Sequence, residues 1–238
     1  MQSKELQENR IPEQLPETVL FDMDGVLVDS EGAMLESAIE ALRGWGIEAK
    51  AEDFTPFIGA GEKGYLGGAA GVHGVAYDEG MVDAAYAIYK KKISERSIAC
   101  PNAVTVLKEL KRRGFKIAVC TSANRTKLSY NLAALGLSED FFTATVTSVD
   151  IEHNKPAPDI YLKGAEVTGT PPSRCLVMED AQNGILAAHR AGMRAVGVTT
   201  SFSAKTLRET VGPEFIIDDI IELLNNPLLQ RRHIVLES

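Results

Sequence analysis

Cysteine is scarce in this sequence: three among 238 residues, Cys100, Cys120 and Cys175, odd in number and far apart. With no CxxC pair, neither a disulfide framework nor a zinc site is expected, and the usage fits a reducing compartment, so a cytoplasmic location is expected. Long apolar runs are missing too. Nowhere do 18 apolar residues follow one another, and the first seventeen residues are polar and proline-punctuated, without the apolar core of a signal peptide. No membrane is therefore expected as a partner. Positive charge is also short, 25 Lys+Arg against 33 Asp+Glu, a formal net charge of −8. Nucleic acid and anionic lipid both favour clustered Lys/Arg, so no nucleic acid is expected as a partner either, and any phosphate must be held locally. What remains, 45% hydrophobic and 24% charged residues, is the composition of a soluble globular chain. A monomer with one large domain plus an insertion is expected.

Residues 1–17 show no periodicity and read as a lead-in. Thr18-Val19-Leu20-Phe21 is a short apolar, β-rich run that ends on Asp22-Met23-Asp24-Gly25, a buried strand running into a turn. Met34, Leu35, Ala38, Ile39 and Leu42 share one face of a helix from about 31 to 43, closed by Gly44 and Gly46. Residues 78–95 repeat that period. From Pro101 the pattern changes: Asn102 can cap a helix through Arg113, and Lys116–Cys120 reads as a strand ending on Thr121-Ser122. There follow a helix on Leu128, Leu132 and Leu135, a strand near 143–148, a helix at 158–167, a strand at 175–178, a helix at 181–191 and a strand at 195–198. This alternation predicts an α/β fold, a Rossmann-like doubly wound, mainly parallel sheet, because parallel strands need crossover connections that are normally helical. Residues 31–98, helical without convincing strands, read as an inserted α-helical cap, leaving 18–30 and 99–238 as the core.

Ligands of open parallel sheets bind beyond the carboxyl ends of the strands. The residues there form one coherent set: Asp22 and Asp24, Thr121 and Ser122, Lys155 before Pro156, and Glu179-Asp180. Asp22 and Asp24, spaced i, i+2, emerge on the same face of an extended backbone. Two like charges that close repel, unless a divalent cation sits between them and the Glu179-Asp180 pair. Oxygen-only ligands suit Mg²⁺; zinc would be expected to recruit His or Cys. Lys155 supplies a second positive charge and Thr121 a hydrogen-bond donor for a phosphate.

Four segments taken in order, Asp22-Met23-Asp24-Gly25-Val26-Leu27-Val28-Asp29-Ser30, Thr121-Ser122, Lys155-Pro156-Ala157-Pro158-Asp159 and Glu179-Asp180-Ala181-Gln182-Asn183-Gly184, resemble the four motifs of the haloacid dehalogenase superfamily. The match runs from about residue 18 to 200, and the helical insertion resembles that of the β-phosphoglucomutase and phosphoglycolate phosphatase branch. The resemblance implies that Asp22 attacks phosphorus to form an aspartyl phosphate, and that Asp24 protonates the leaving oxygen and then deprotonates the attacking water. It further implies that Thr121 and Lys155 clamp the transferring oxygens and that the side chains of Asp22 and Asp180 and the carbonyl of Asp24 bind the metal, with Glu179 close by. Gly25 and Ser122 are expected to face the substrate. Asp24 argues against dehalogenation, since a leaving halide needs no proton.

Gly59-x-Gly61-x-x-Gly64 matches a dinucleotide fingerprint only formally, because Pro56 falls where the required strand should be. Seven of the 20 glycines lie between Gly59 and Gly74. That stretch reads either as a flexible loop with close helix packing or as the cap's specificity loop, with Gly61, Glu62 and Lys63 meeting the substrate. The histidines are scattered and read as solvated, with lining the entrance the alternative for His153; Cys120 and Cys175 read as core. The expected function is hydrolysis of a small phosphorylated metabolite, a sugar phosphate by class, with Mg²⁺. The alternative is a β-phosphoglucomutase, against which stand Met34, where mutases of this branch carry His, and the lack of an Arg in Gly59-Ala60-Gly61-Glu62-Lys63. A non-catalytic sensor on the same fold is the third reading.

Overall fold

Buried, β-branched runs form the strands and amphipathic runs form the helices, in strict alternation after residue 100. The computed structural model describes residues 15–57 and 61–229. In chain order these carry β1 (Thr18–Phe21), α1 (Glu31–Leu42), α2 (Ala51–Phe54), α3 (Gly61–Val72), α4 (Gly80–Glu95), α5 (Ala103–Arg112) and β2 (Lys116–Cys120). Then come α6 (Arg125–Ala134), β3 (Ala144–Val146), α7 (Asp159–Thr168), β4 (Cys175–Glu179), α8 (Gln182–Arg190), β5 (Arg194–Val198), α9 (Ala204–Thr210) and β6 (Phe215–Ile217).

The six strands pair in parallel in the order β3-β2-β1-β4-β5-β6. From β1 the chain winds outward through β2 and β3, then crosses back to lay β4, β5 and β6 on the other side. The winding therefore reverses between β1 and β4, and a crevice opens beyond their carboxyl ends. Strand residues alternate between two apolar layers. Val19, Phe21, Val119 and Met178 pack with Val106, Leu107, Leu128 and Leu132 of α5 and α6. Leu20, Ala118, Cys120 and Val177 pack with Ile160, Tyr161, Ile185 and Leu207 of α7, α8 and α9. Both faces are thus covered, as an all-parallel sheet requires.

The helices between β1 and α5 bury an apolar cluster of their own, including Leu42, Phe54, Leu66 and Met81. The chain leaves and rejoins the sheet side at one place: Asp29 N–H donates to the Ile98 carbonyl (2.7 Å), Cys100 N–H to the Leu27 carbonyl (3.0 Å), and Val28 bridges Ala99 in antiparallel sense.

Several sequence expectations need correction. Gly61–Val72 is a helix, not a flexible loop; its glycines admit neighbours, for a Cβ on Gly68 would overlap the Phe57 ring. Asn102 does not cap α5. It adopts a left-handed backbone, φ 60°, and its Nδ2 donates to Asp219 Oδ2 at 2.8 Å. Glu179 closes β4 rather than following it. Strand β6 and helix α9 were not expected, because Phe-Ile-Ile is three residues long and α9 buries only Leu207. The three cysteines are buried free thiols. Residues 1–14, Gly59 and His233 lie outside the described residues. Among those described, no helix is long and apolar enough to cross a membrane.

Candidate active site

Parallel pairing brings the ends of β1 and β4 level: Phe21 is in register with Met178, and Asp22 N–H donates to the Met178 carbonyl at 3.0 Å. Asp22 therefore stands beside Glu179 and Asp180. Oxygens of these three buried carboxylates lie within 4.8 Å of one another. The loop before α7 delivers Lys155, held from behind where Asp159 Oδ2 accepts the His153 N–H at 3.1 Å. Lys155 Nζ donates to Asp22 Oδ1 at 2.7 Å and to Glu179 Oε1 at 2.6 Å, with 9% of its side chain exposed.

Glu179 is saturated. Its Oε1 also accepts Tyr161 OH at 2.9 Å, and its Oε2 accepts the N–H groups of Asp180 and Ala181, each at 3.0 Å. Asp180 accepts from Ser201 Oγ through Oδ2. Two glycines make the crowding possible. A Cβ on Gly184 would overlap the Glu179 carboxylate, and one on Gly25, whose φ is +79°, would overlap that of Asp180.

Burial pushes the Asp22 carboxyl up; Lys155 opposes the rise while the charges of Glu179 and Asp24 add to it. Burial likewise pushes Asp180 up, joined by Glu179 and Asp22. Lys155 loses hydration by burial, yet Asp22 and Glu179 hold its ammonium above its usual range, so it stays charged. Three carboxylates against one ammonium leave −2 when all are ionised, which is the charge a divalent cation would neutralise. An all-oxygen donor set with this deficit fits a hard divalent cation such as Mg²⁺.

Asp24 is not part of that cluster. The turn after β1 directs its side chain away, where Oδ1 accepts from Ser30 Oγ, from Lys127 Nζ (2.9 Å) and from Asn131 Nδ2 (3.4 Å). Lys127 and Asn131 come from α6, which starts at the end of β2 beside Thr121. The Thr121 hydroxyl oxygen accepts the Ala123 N–H at 3.1 Å, leaving its O–H to donate. Ser122 is half-buried next to it.

The first turn of α3 reaches this crevice. Glu62 Oε1 accepts the N–H of Asn124, the residue that caps α6, at 3.0 Å. Burial pushes the Glu62 carboxyl up, against the Asn124 bond and the Lys127 charge. Gly61 precedes it with φ +74°, near the Asn154 side chain. Lys63 is not brought to the crevice: it is exposed, with its ammonium 5.1 Å from the centre of the Tyr77 ring. The described histidines pair with acids elsewhere, Asp53, Asp159 and Glu214.

Sequence reasoning missed Lys127, Asn131, Tyr161 and Ser201. A signal existed for the first two, which lie four apart and so share a helix face, directly beside the apolar positions 128 and 132.

The chain is 41% identical over 215 residues to the chloroplastic protein SUPPRESSOR OF QUENCHING 1 of Arabidopsis thaliana, a match covering 89% of this chain and 20% of that protein. It thus spans about a fifth of that relative's length. It is 27% identical over 219 residues to pyrophosphatase PpaX of Bacillus mycoides (strain KBAB4), covering 90% and 97% of the two chains. Among solved structures, CbbY from Rhodobacter sphaeroides in complex with phosphate shares the fold, with a TM-score of 0.77 at 24% identity over 88% of this chain and 96% of that one. The family pattern of the haloacid dehalogenase-like hydrolases matches residues 16–192, from just before β1 to just after α8, and with the carboxylate crevice inside that span the chain belongs to this family.

Proposed function

We propose that this hydrolase is a Mg²⁺-dependent phosphatase of a small phosphorylated metabolite, a sugar phosphate by class, and that it works through an aspartyl phosphate. The observation that carries the reading is the state of Asp22. Among the described residues Lys155 engages only its Oδ1 and no hydrogen bond reaches Oδ2, with a second acid, Asp24, two residues on.

In the first step Asp22 Oδ2 bonds to phosphorus, and the bond from phosphorus to the leaving oxygen breaks as Asp24 gives that oxygen a proton. In the second, Asp24 takes a proton from water, the water oxygen bonds to phosphorus, and inorganic phosphate leaves Asp22 as it was. Lys155 and the Thr121 hydroxyl hold the phosphoryl oxygens, with Ser122 and the Gly25 turn lining the same space. Asp22 and Asp180, with the Asp24 carbonyl, would hold Mg²⁺, which when bound neutralises charge on the phosphoryl group. Glu179, filled by four donors, holds Lys155 in place.

Residues 31–98 serve as the cap that selects the substrate. Glu62 is the cap side chain placed to accept hydroxyl groups of the leaving alcohol, while Lys63 reaches a substrate only by leaving Tyr77. Three free buried thiols fit a reducing compartment, the cytoplasm in the simplest reading.

The test is release of inorganic phosphate from a panel of sugar phosphates, sugar bisphosphates, phosphoglycolate and pyrophosphate, with Mg²⁺ and with EDTA. Hydrolysis that needs Mg²⁺ and is greatest for a sugar phosphate is expected. Turnover that survives EDTA would overturn the metal, and preference for pyrophosphate the substrate class. Glucose 6-phosphate forming from β-glucose 1-phosphate and a bisphosphate primer faster than phosphate is released would replace the phosphatase with a phosphomutase.

A further inference from the structure

The buried polar groups around Asp24 form a set that the two-step reaction above does not use. Ser30, Asn131 and Tyr89 have no exposed surface, and Lys127 is 9% exposed. A lysine so far from water is costly unless its charge is paired. Its partner is Asp24 Oδ1, 2.9 Å away. Asn131 has a fixed orientation as well. Its Oδ1 accepts the Tyr89 hydroxyl at 2.5 Å, so its amide nitrogen faces Asp24; a flipped amide would set its oxygen against the carboxylate. Among the described residues, every hydrogen bond to the Asp24 carboxylate falls on Oδ1. Oδ2 is left without a protein partner.

Three donors on one oxygen define the plane and direction of the carboxyl group, and they come from three parts of the chain. Ser30 lies at the start of α1, Lys127 and Asn131 on α6, and Asn131 is steadied by Tyr89 of α4. Lys127 stands 5.9 Å from the centre of the Tyr89 ring. Helix α6 is itself met at its N-terminus by Glu62 of α3 through Asn124. Thus α6 carries two side chains that grip Asp24, and two helices of the 31–98 segment touch α6.

Resting on the phosphatase reading, we propose that Lys127 and Asn131 are positioning residues that hold Asp24 by one oxygen so that the other is aimed at the leaving group, with Tyr89 keeping Asn131 in register. Donors that fix an acid through its non-reacting oxygen matter only where a proton must be delivered. Their loss therefore falls on substrates with basic leaving groups and spares those that depart without a proton.

The experiment is kcat/KM for three aryl phosphates of rising leaving-group basicity, 2,4-dinitrophenyl, 4-nitrophenyl and phenyl phosphate, with the full chain and Mg²⁺. Since general acid catalysis contributes roughly 10²–10⁴-fold, loosening the acid is expected to cost Lys127→Met and Asn131→Leu about 10–100-fold on phenyl phosphate and less than about threefold on the dinitrophenyl ester. Tyr89→Phe, which deletes only a hydroxyl, should tilt the series the same way by less, and Lys127→Arg should restore part of the Lys127→Met loss. An equal loss on all three esters in both Lys127→Met and Tyr89→Phe would overturn the proposal, because a group that binds phosphate or merely supports the fold costs every substrate alike. Asp24→Asn marks the steepest series attainable. If wild type were already that steep, the assignment of Asp24 would fall and the positioning role with it, a result distinct from equal loss. Failure of wild type to hydrolyse any of the three esters would overturn the phosphatase reading itself.

Discussion

The two sides of the crevice hold their aspartates by opposite means. On the β4 side Asp22 shares its space with Glu179 and Asp180, and one ammonium, that of Lys155, serves the group. On the α6 side Asp24 lies outside that carboxylate cluster and one of its oxygens receives three donors. The first side is short of positive charge and crowded with acceptors; the second is supplied with donors and neutral as an ion pair. Two residues of the same type, two positions apart on one turn, are thereby fitted for different work. On the proposed reading, the deficit of positive charge draws in a cation that offsets the rise burial gives Asp22 and keeps it ionised for attack, whereas an acid held by a single oxygen can pass a proton with the other.

The largest effect should separate the two sides directly. Asp22→Asn is expected to abolish turnover, by roughly 10⁴-fold or more, since a missing nucleophile removes the whole covalent route. Asp24→Asn should cost about 10²–10⁴-fold on substrates whose leaving group needs a proton. Steady-state assays check both, and residual activity in Asp22→Asn equal to that in Asp24→Asn would break the contrast.

Next comes the charge deficit. Mg²⁺ at about 100 times its Kd should stabilise the folded chain by about 2.7 kcal/mol, or roughly 5–10 °C in Tm for a chain of this size. Thermal melts should show that shift greatly reduced in Asp180→Asn and kept in Lys127→Met. A full shift in Asp180→Asn would show that the deficit is not where the cation binds.

Close packing on the β4 side gives a third test. Gly184→Ala places a methyl group into the Glu179 carboxylate, and such overpacking costs about 1–3 kcal/mol. Denaturant unfolding should register the loss. The smallest effect is a control remote from both sides. Burial alone would raise the Glu214 carboxyl, but His189 and the Ala195 N–H more than offset it and lower its pKa below the usual 4.5. An acid so lowered contributes stability above that value and loses it as pH falls through the lowered one. Glu214→Gln should therefore flatten the acid limb of stability below about pH 4.5 and leave activity near neutrality unchanged, as melts across pH would record.

Much of this was legible in the sequence, for stated reasons. Short buried runs ending on Asp22, Thr121 and Glu179 mark strand ends, and in a parallel sheet strand ends are where a site must form. Residues 61–72 were harder, because glycines that admit Phe57 and Tyr77 look the same in sequence as glycines that loosen a loop. Lys127 carried only a faint signal: its spacing from Asn131 sets the two on one helix face, but a lysine beside a leucine stripe reads as solvated, and the approach of β1's turn to α6 is what buries it against an acid. Tyr161 and Ser201 were hidden for a different reason. Each reaches the site from an element far along the chain, and nothing local to either announces its partner.

The clasp of Asp29 to Ile98 and of Cys100 to Leu27 has a consequence for how this protein can be altered. The helical segment departs and returns through two adjacent backbone hydrogen bonds and one isolated bridge, so its two ends meet beside the sheet. A segment from a relative can be joined across that clasp without disturbing Asp24 only if it also brings a hydroxyl to Asn131, as Tyr89 does, and an acceptor to the Asn124 N–H, as Glu62 does. The joint that fixes the helices to the sheet is also the seam along which they can be exchanged.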